Sequence, residues 1–353
     1  MILQPCHLSS FRALMPSRGS YFKPFQTRII HVGHHGIDLS LQKVNGLPII
    51  HHHGFVCQLP AKHSFPMAKF NMIHDLLVQD GLLNRSKQLM HPELISRDEV
   101  CQVHTEEYVD KFFGGYTTDQ EQKATGFPWS PGLVSRVRYE TGGTVLAAEV
   151  ALERGLACST AGGTHHAFAE RGSGYCLVND LAVAARRVTQ RTGRRVLVVD
   201  LDVHQGDGTA AIFAGDENVF TFSMHCEKNF PLRKQRSDLD VGLDVDLGDA
   251  AYMTTLREHL AALLDLFRPG LVLYDAGVDP HVRDVLGRLA LTDQGLFDRD
   301  YHVLSEVVRR GIPCATVIGG GYSRDLAELA RRHTIIHRAA TAVYRGRLGQ
   351  PAT

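Results

Sequence analysis

The stretch VDLDVHQGDGT at residues 199–209 decides the fold, because an apolar run passes here into charged residues and glycines. The run RVLVVD at 195–200 predicts a parallel strand that is buried on both faces. Side chains two residues apart on an extended segment point to the same side, so Asp200, Asp202 and His204 are expected to converge where the strand ends. Two buried carboxylates repel each other unless a cation lies between them, which indicates a bound metal. By itself, the pattern is equally compatible with a solvated turn after a strand.

Similar apolar runs alternate with helical patterns from about Leu47 onward, which is typical of βαβ units around a parallel sheet. Polar residues follow the ends of these runs, and ligands of such sheets bind at the carboxyl ends of the strands. We therefore predict one doubly wound α/β domain. Strands are predicted at 196–200, 219–222, 270–274 and 313–318, and helices at 67–79, 135–154, 180–191, 250–267, 297–310 and 325–344.

Composition and charge narrow the classes of partner. The chain of 353 residues has 38 basic and 38 acidic side chains and no block of like charge. This balance argues against electrostatic binding of nucleic acid or of a membrane surface, and no apolar run approaches the roughly 20 residues that span a bilayer. The seven cysteines include no CxxC pair, which argues against a disulfide framework and a cysteine zinc site. A reducing, cytoplasmic compartment and a small or neutral partner are predicted.

The ends of the chain are interpreted separately from the domain. Residues 1–46 are predicted to be a poorly ordered extension, 47–346 the domain, and 347–353 a tail. Residues 1–37 contain basic but no acidic side chains, so a transit peptide and an organellar location are the alternative. The six histidines at 31, 34, 35 and 51–53 are interpreted as loop residues without a fixed geometry.

A pair of adjacent histidines forms a second polar cluster, in AGGTHHAF at 161–168. Neighbouring imidazoles become useful when a carboxylate orients each ring, because the partner of one ring nitrogen sets the tautomer of the other. Asp200 and Asp207 are available to orient His165 and His166.

Two further clusters follow apolar runs. LYDAGVDPH places Asp275 and Asp279 after one run, and VIGGGYS places three glycines and Tyr322 after another. Flexible glycines beside a metal site would bring a phenol donor close to a bound carbonyl group.

The motifs GGTHHAF, GSGYCLVND, VDLDVHQGDGT, AGVD and GGGYS occur in this order, and together they resemble the zinc-dependent histone deacetylase family. The resemblance covers about 47–344. LPAKHSFPMAKF and TGGTVLAAEVALERGLA look most like class IV deacetylases and their bacterial relatives. The resemblance implies a single-domain, three-layer arginase/deacetylase fold, which is an α/β fold with a central, mostly parallel sheet flanked by helices.

The resemblance also assigns roles to the residues of these motifs. It implies that Asp202, His204 and Asp279 bind Zn²⁺, with Fe²⁺ as the alternative in cells because metal choice follows supply as well as ligand type. It further implies the following roles: His166 as the general base oriented by Asp207, His165 as an electrostatic support oriented by Asp200, and Tyr322 as the donor to the oxyanion. A structural K⁺ or Na⁺ is expected near Asp200, Asp202, His204, Ser223 and Met224. Walls of a substrate tunnel are expected at Gly174, Tyr175, Phe230, Gly320 and Gly321.

The implied activity is hydrolysis of the acyl amide of an acylated lysine side chain or a similar small acylated amine. Acetylpolyamines, small acetylated metabolites and long-chain acyl-lysine are the alternative substrates, since Thr164 and Tyr175 depart from the common family pattern. A non-catalytic acyl-lysine-binding protein is a remote alternative. A binuclear manganese enzyme of the same fold is disfavoured, because Gly206 stands where a further carboxylate ligand is needed. The sequence does not indicate the oligomeric state.

Overall fold

Eight parallel strands form one sheet, and the computed structural model describes residues 46–348 of the chain. The strands are β1 (Ile49–Ile50), β2 (Leu89–Met90), β3 (Leu156–Ser159), β4 (Val196–Asp200), β5 (Val219–Cys226), β6 (Leu239–Leu243), β7 (Leu271–Asp275) and β8 (Cys314–Val317). Their order across the sheet is β2-β1-β3-β8-β7-β4-β5-β6. The predicted extension and tail lie almost entirely outside the described residues, so those boundaries stay predictions.

Helices flank the sheet as two groups. In one group, α1 (Lys69–Gln79) packs against α10 (Leu326–Leu348), α10 against α9 (Asp293–Arg309) and α9 against α8 (Asp249–Phe267). The other group is built around the contact of α5 (Pro131–Arg154) with α6 (Asp180–Thr192). The three-layer α/β architecture that the sequence predicted is therefore confirmed. Among residues 46–348, no helix has the length and apolar character that crossing a membrane requires. The helices are α1 (Lys69–Gln79), α2 (Arg97–Val100), α3 (Glu106–Gly114), α4 (Asp119–Thr125), α5 (Pro131–Arg154), α6 (Asp180–Thr192), α7 (Asp207–Ile212), α8 (Asp249–Phe267), α9 (Asp293–Arg309) and α10 (Leu326–Leu348).

The central strands follow the sequence pattern closely, whereas the outer strands do not. Strand β4 has the predicted bounds, and β5 continues four residues beyond the predicted 219–222. The pattern missed β1, β2, β3 and β6, of which β1 and β2 have two residues each. Runs this short carry no periodicity, and they are fixed instead by pairing with neighbouring strands.

The carboxyl ends of β4, β5 and β7 meet at one edge of the sheet. Asp200 at the end of β4 lies opposite both Ser223 of β5 and Asp275 of β7. The backbone continues this contact beyond the strands, since Leu201 donates a hydrogen bond of 3.1 Å to the carbonyl oxygen of Asp275. The residues that follow β4 and β7 are therefore held side by side.

The histidines at 51–53 are ordered, so the interpretation of these residues as loop without fixed geometry is wrong. His51 is 1% exposed, and its Nδ1 lies 2.8 Å from the hydroxyl oxygen of Thr160. Its ring stacks on that of His74 with centroids 4.3 Å apart. His51 follows the short strand β1 directly, which carries the ring into the interior. The histidines at 31, 34 and 35 lie outside the described residues.

Candidate active site

A buried group of two carboxylates and one imidazole lies beyond the carboxyl ends of β4 and β7. His204 Nδ1 lies 3.0 Å from Asp202 Oδ1 and 3.2 Å from Asp279 Oδ2. Asp202 and Asp279 are at most 1% exposed, and His204 is 8% exposed. The structure thus brings together the three side chains that the family resemblance implied as metal ligands, in an arrangement that could hold a metal ion.

The electrostatics of this group favour a cation. Asp202 Oδ2 accepts a hydrogen bond of 2.7 Å from the backbone of Gly320, whereas Asp279 Oδ2 accepts none from the described residues. Burial and the neighbouring charge of Asp202 raise the pKa of the Asp279 carboxyl to about 7. A cation between the carboxylates would remove their repulsion and satisfy the bare oxygen, so the donor set fits a metal.

Each histidine of the adjacent pair has its own carboxylate. His165 Nδ1 lies 2.7 Å from Asp200 Oδ2, and His166 Nδ1 lies 2.6 Å from Asp207 Oδ1. Burial opposes charge on the His165 ring, but the carboxylates of Asp200 and Asp202 outweigh it and raise the pKa of His165 well above its usual value. Burial and the neighbouring charge of His165 lower the pKa of His166 to about 4. At neutral pH, His165 is therefore the cation and His166 the free base.

One cavity of about 500 Å³ connects these groups, and Tyr322 also faces it. Tyr322 follows β8, and its backbone N–H donates a hydrogen bond of 2.7 Å to Asp284 Oδ2. Burial raises the pKa of the Tyr322 phenol well above its usual value. The hydroxyl group therefore stays protonated and can donate a hydrogen bond into the cavity.

Aromatic side chains form the walls of the cavity. The Phe230 ring lies perpendicular to the ring of His166 with centroids 4.8 Å apart. The Tyr175 ring lies 5.3 Å from that of Phe65 and 5.7 Å from that of Tyr322 between centroids. These rings form side walls of the cavity at the positions predicted for a substrate tunnel, and the tunnel itself stays a prediction.

Glycines bring the backbone close to the reacting groups. Gly174 and Gly320 line the cavity, and a Cβ atom on Gly320 would lie 2.2 Å from Asp279 Oδ2. Gly321 is not among the lining residues. Its carbonyl oxygen instead accepts a hydrogen bond of 3.4 Å from the buried Nζ of Lys69.

The residues of the predicted monovalent-cation site also lie together. Asp200 and Ser223 are register partners, and Ser223 and Met224 are buried on β5. Ser223 Oγ lies 2.9 Å from His225 Nδ1. The bound cation itself stays a prediction.

Sequence reasoning gave no role to Asp180, which holds the loop that carries the histidine pair. Its carboxylate accepts hydrogen bonds from the backbone of Gly163 at 3.0 Å and of Thr164 at 2.7 Å, and from the hydroxyl of Thr144 at 2.5 Å. Asp180 begins helix α6 and is 0% exposed. Its place in the motif GSGYCLVND, directly after an apolar run, was the one signal available.

Two more buried ionisable side chains lie behind the site: Asp275, which the sequence placed after an apolar run without a role, and Arg299, which the sequence did not single out. Neither oxygen of Asp275 has a hydrogen-bond partner among the described residues, and its Oδ2 lies 3.9 Å from His165 Nδ1. Arg299 of α9 donates hydrogen bonds to the carbonyl oxygens of Leu201 at 3.1 Å and Gly277 at 2.8 Å. Arg299 therefore fixes the two backbone segments that carry Asp202, His204 and Asp279.

Comparisons with known proteins agree with this architecture. Residues 63–337 match the family described as "Histone deacetylase domain". The chain is 51% identical over 300 residues to an uncharacterised protein of Picosynechococcus sp., which covers 85% of this chain and 100% of that protein. It is 30% identical to histone deacetylase 2 of Arabidopsis thaliana, over 76% of this chain and 71% of that one. The acetoin utilization protein AcuC of Staphylococcus aureus is 27% identical, over 74% and 73% of the two chains.

A solved structure shows the same fold. The crystal structure of the HDA15 HD domain superimposes with a TM-score of 0.70 at 21% identity, covering 87% of this chain and 90% of that one. The likeness to this domain defines the class of fold, an α/β fold with one parallel sheet flanked by helices. The chain belongs to the histone deacetylase family, since the family match spans most of its length. It is accordingly a deacetylase that acts on amide bonds, while its place in class IV stays a prediction.

Proposed function

We propose that the chain is a zinc-dependent amidohydrolase that removes the acyl group from an acylated lysine side chain or a similar amine. The observation that supports this most directly is the convergence of the metal-binding group, both histidine–carboxylate pairs and Tyr322 on one cavity. Two carboxylates and one imidazole, Asp202, Asp279 and His204, match the three protein ligands of a catalytic zinc site, which leaves coordination open for water and substrate. When bound, zinc polarises the amide carbonyl and lowers the pKa of water to about 7.

His166 carries out both proton transfers, and the side chains beside it stabilise charge. His166 is the free base, and its Nδ1 is engaged by Asp207, so its Nε2 accepts the proton of the attacking water. The same nitrogen then delivers that proton to the leaving amine as the C–N bond breaks, which yields a carboxylic acid and the free amine. His165 keeps its charge beside this ring. The Tyr322 hydroxyl donates to the oxyanion that develops on the carbonyl oxygen.

Mononuclear chemistry is favoured over a binuclear manganese site. Gly206 occupies the position where a further carboxylate ligand is needed, and a Cβ atom there would lie 2.2 Å from Asp200 Oδ2. Iron is the alternative metal, because supply as well as ligand type sets occupancy. A cytoplasmic location, with an organelle as the alternative, stays a prediction because 1–37 lie outside the described residues.

The experiment combines metal content with hydrolysis by the purified chain. We expect one zinc ion per chain, hydrolysis of an acetyl-lysine peptide, and loss of activity on chelation that zinc restores. His166→Ala should lower kcat by about 10²–10⁴ and Tyr322→Phe by about 10²–10³, with zinc retained in both. His259→Ala, on the outer part of α8, is the matched control and should be fully active. Full activity in both site variants, or a metal-free chain insensitive to chelators, would contradict the proposal.

A further inference from the structure

The mouth of the cavity is built by two loops, 227–238 between β5 and β6 and 276–292 between β7 and α9. They are joined by a hydrogen bond of 2.7 Å from Asn229 Nδ2 to the carbonyl oxygen of Leu286. A second one, of 3.4 Å, runs from Arg288 Nη1 to the carbonyl oxygen of Lys228. Because Phe230 of the first loop contacts His166, a group bound at these loops lies next to the catalytic cavity.

The two loops carry cations that have no acidic partner. Lys228 and Arg288 are exposed and line the cavity, and the exposed Arg233 and Arg236 lie on the first loop. Within the described part of the chain, none of these four forms an ion pair. An unpaired cation at a surface remains available to an external anion.

Several carboxylates near these cations accept hydrogen bonds from other groups. Asp284 is buried and accepts hydrogen bonds from the backbone of Leu286, Gly287 and Tyr322. Asp238 and Asp240 accept hydrogen bonds from neighbouring backbone groups, whereas the exposed Glu227 and Asp246 are backbone neighbours of Lys228 and Arg288. The first loop still carries an excess of positive charge, with Lys228, Arg233, Lys234 and Arg236 against Glu227 and Asp238, although the whole chain is neutral at 38 basic and 38 acidic residues.

The charged side chains that line the cavity differ in exposure. Glu140, Asp202 and Asp279 are at most 3% exposed, and the lining cations Lys69 and Arg136 are buried with them. The lining cations Lys228 and Arg288 are exposed instead. Apolar side chains flank the cations, among them Leu232 at 96% and Val285 at 56% exposed. The mouth thus offers apolar contact and positive charge.

We propose that this mouth selects acyl-lysine peptides that carry Asp or Glu beside the acylated lysine. The inference rests on the proposed function, because it concerns the residues that flank the scissile amide. Carboxylates of such a peptide would lie close to Lys228 and Arg288, where their attraction is limited only by solvent and salt. A cationic polyamine or a Lys- and Arg-rich tail would meet like charge there, which lowers its rate of association.

The test compares three peptides that differ only at the residues flanking an acetyl-lysine: two Glu, two Ala or two Arg. We expect kcat/KM to be about fivefold higher for Glu than for Ala and lower for Arg than for Ala, as a few weak exposed ion pairs give. The ratio of kcat/KM for the Glu peptide to that for the Ala peptide should approach one as salt rises from about 0.02 M to 0.5 M. The reason is that salt screens the attraction between the exposed cations and the peptide carboxylates.

A charge-reversed variant tests whether Lys228 and Arg288 cause the preference between peptides. Lys228→Glu/Arg288→Glu should invert the order of the Glu and Arg peptides, with the Ala peptide as the reference for any general loss of activity. The matched control is Lys87→Glu/Arg257→Glu, since both residues are exposed, Lys87 next to the amino end of β2 and Arg257 on α8. It should leave the ratio unchanged.

The outcomes separate the two proposals. Hydrolysis of all three peptides at equal rates, a preference for Arg, or a Glu preference that survives the charge reversal would overturn this inference and leave the proposed function standing. Failure to hydrolyse any acyl-lysine peptide would overturn both.

Discussion

At the scale of single residues, the site depends on the close approach of backbone groups to the carboxylates of Asp202 and Asp279. The peptide N–H of Gly320 donates to Asp202 Oδ2, and the same residue leaves no room for a side chain. Neighbouring imidazoles are likewise kept in opposite charge states, because His165 faces Asp200 and Asp202 while His166 is buried beside a charged ring. Substitutions at these positions are therefore expected to lower activity more than stability.

Gly320→Ala is expected to abolish activity by displacing the metal-binding carboxylates. Its Cβ atom would lie 2.2 Å from Asp279 Oδ2 and 2.6 Å from Asp202 Oδ2. Elemental analysis should find well below one zinc ion per chain, and the circular dichroism spectrum should be retained. Gly346→Ala in α10 is the control, because no atom lies within 4 Å of its added Cβ; it should keep zinc and activity. Normal zinc content in Gly320→Ala would show that the carboxylates do not form the metal site.

At the scale of elements, helix α6 and the loop before it are connected through one side chain. Asp180 accepts hydrogen bonds from the loop at Gly163 and Thr164 and from Thr144 of α5. A buried acceptor shared by three segments positions the histidine pair without contacting substrate. Its contribution is both to stability and to the geometry of His165 and His166.

Asp180→Ala is expected to lower the free energy of unfolding by about 3 kcal/mol, because it leaves several buried donors unpaired. The value of kcat should fall more than tenfold while KM changes little, since the loop that carries the base is loosened. Asp180→Asn is the matched comparison, because its amide oxygen still accepts part of these hydrogen bonds, and it should lie between the wild type and the Ala variant. Urea unfolding and steady-state kinetics measure both effects. Equal stability of the three chains would argue against this role.

At the scale of the whole molecule, buried neutral histidines make stability dependent on pH. Burial is the main cause that lowers the pKa of His51 to about 2 and of His104 and His337 to about 4. In the unfolded chain these rings titrate near the ordinary value of about 6.5. The unfolded state thus binds more protons below that value, so stability is fully present above about pH 6.5 and is lost as the pH falls toward 4.

His104→Gln tests this contribution. Its wild-type ring accepts a hydrogen bond of 2.9 Å from the backbone of Asn179, so the variant is expected to be less stable at neutral pH. Between about pH 6 and 5, however, its free energy of unfolding should fall less steeply than that of the wild type. The two slopes should differ by about 1.4 kcal/mol per pH unit, because the variant lacks one titrating ring. Urea unfolding across this range measures the slope. His259→Gln on α8 serves as the control, and an unchanged slope in His104→Gln would contradict the assignment.

The amount that could be predicted from the sequence differs between the centre of the fold and its periphery. The bounds of β4 and the spacing of Asp200, Asp202 and His204 follow from local rules, because a strand buried on both faces is apolar and alternate side chains share a side. Strands β1 and β2, with two residues each, could not be recognised. Nor could the order in His51–His53, since its burial depends on contacts with Thr160 and His74 that are remote in the chain.

The sequence by itself determined which residues carry chemistry: their types, their order and their position after apolar runs. Only the tertiary structure decided that Asp279 meets Asp202 and His204, that Arg299 holds the backbone behind them, and that Asp180 holds the loop of the histidine pair. It also decided that Lys228 and Arg288 line the mouth without an ion pair to any described residue. The physical reason is that spacing constrains neighbours within a few residues, whereas burial, pKa shifts and unpaired charge arise from groups that are distant in sequence and close in space.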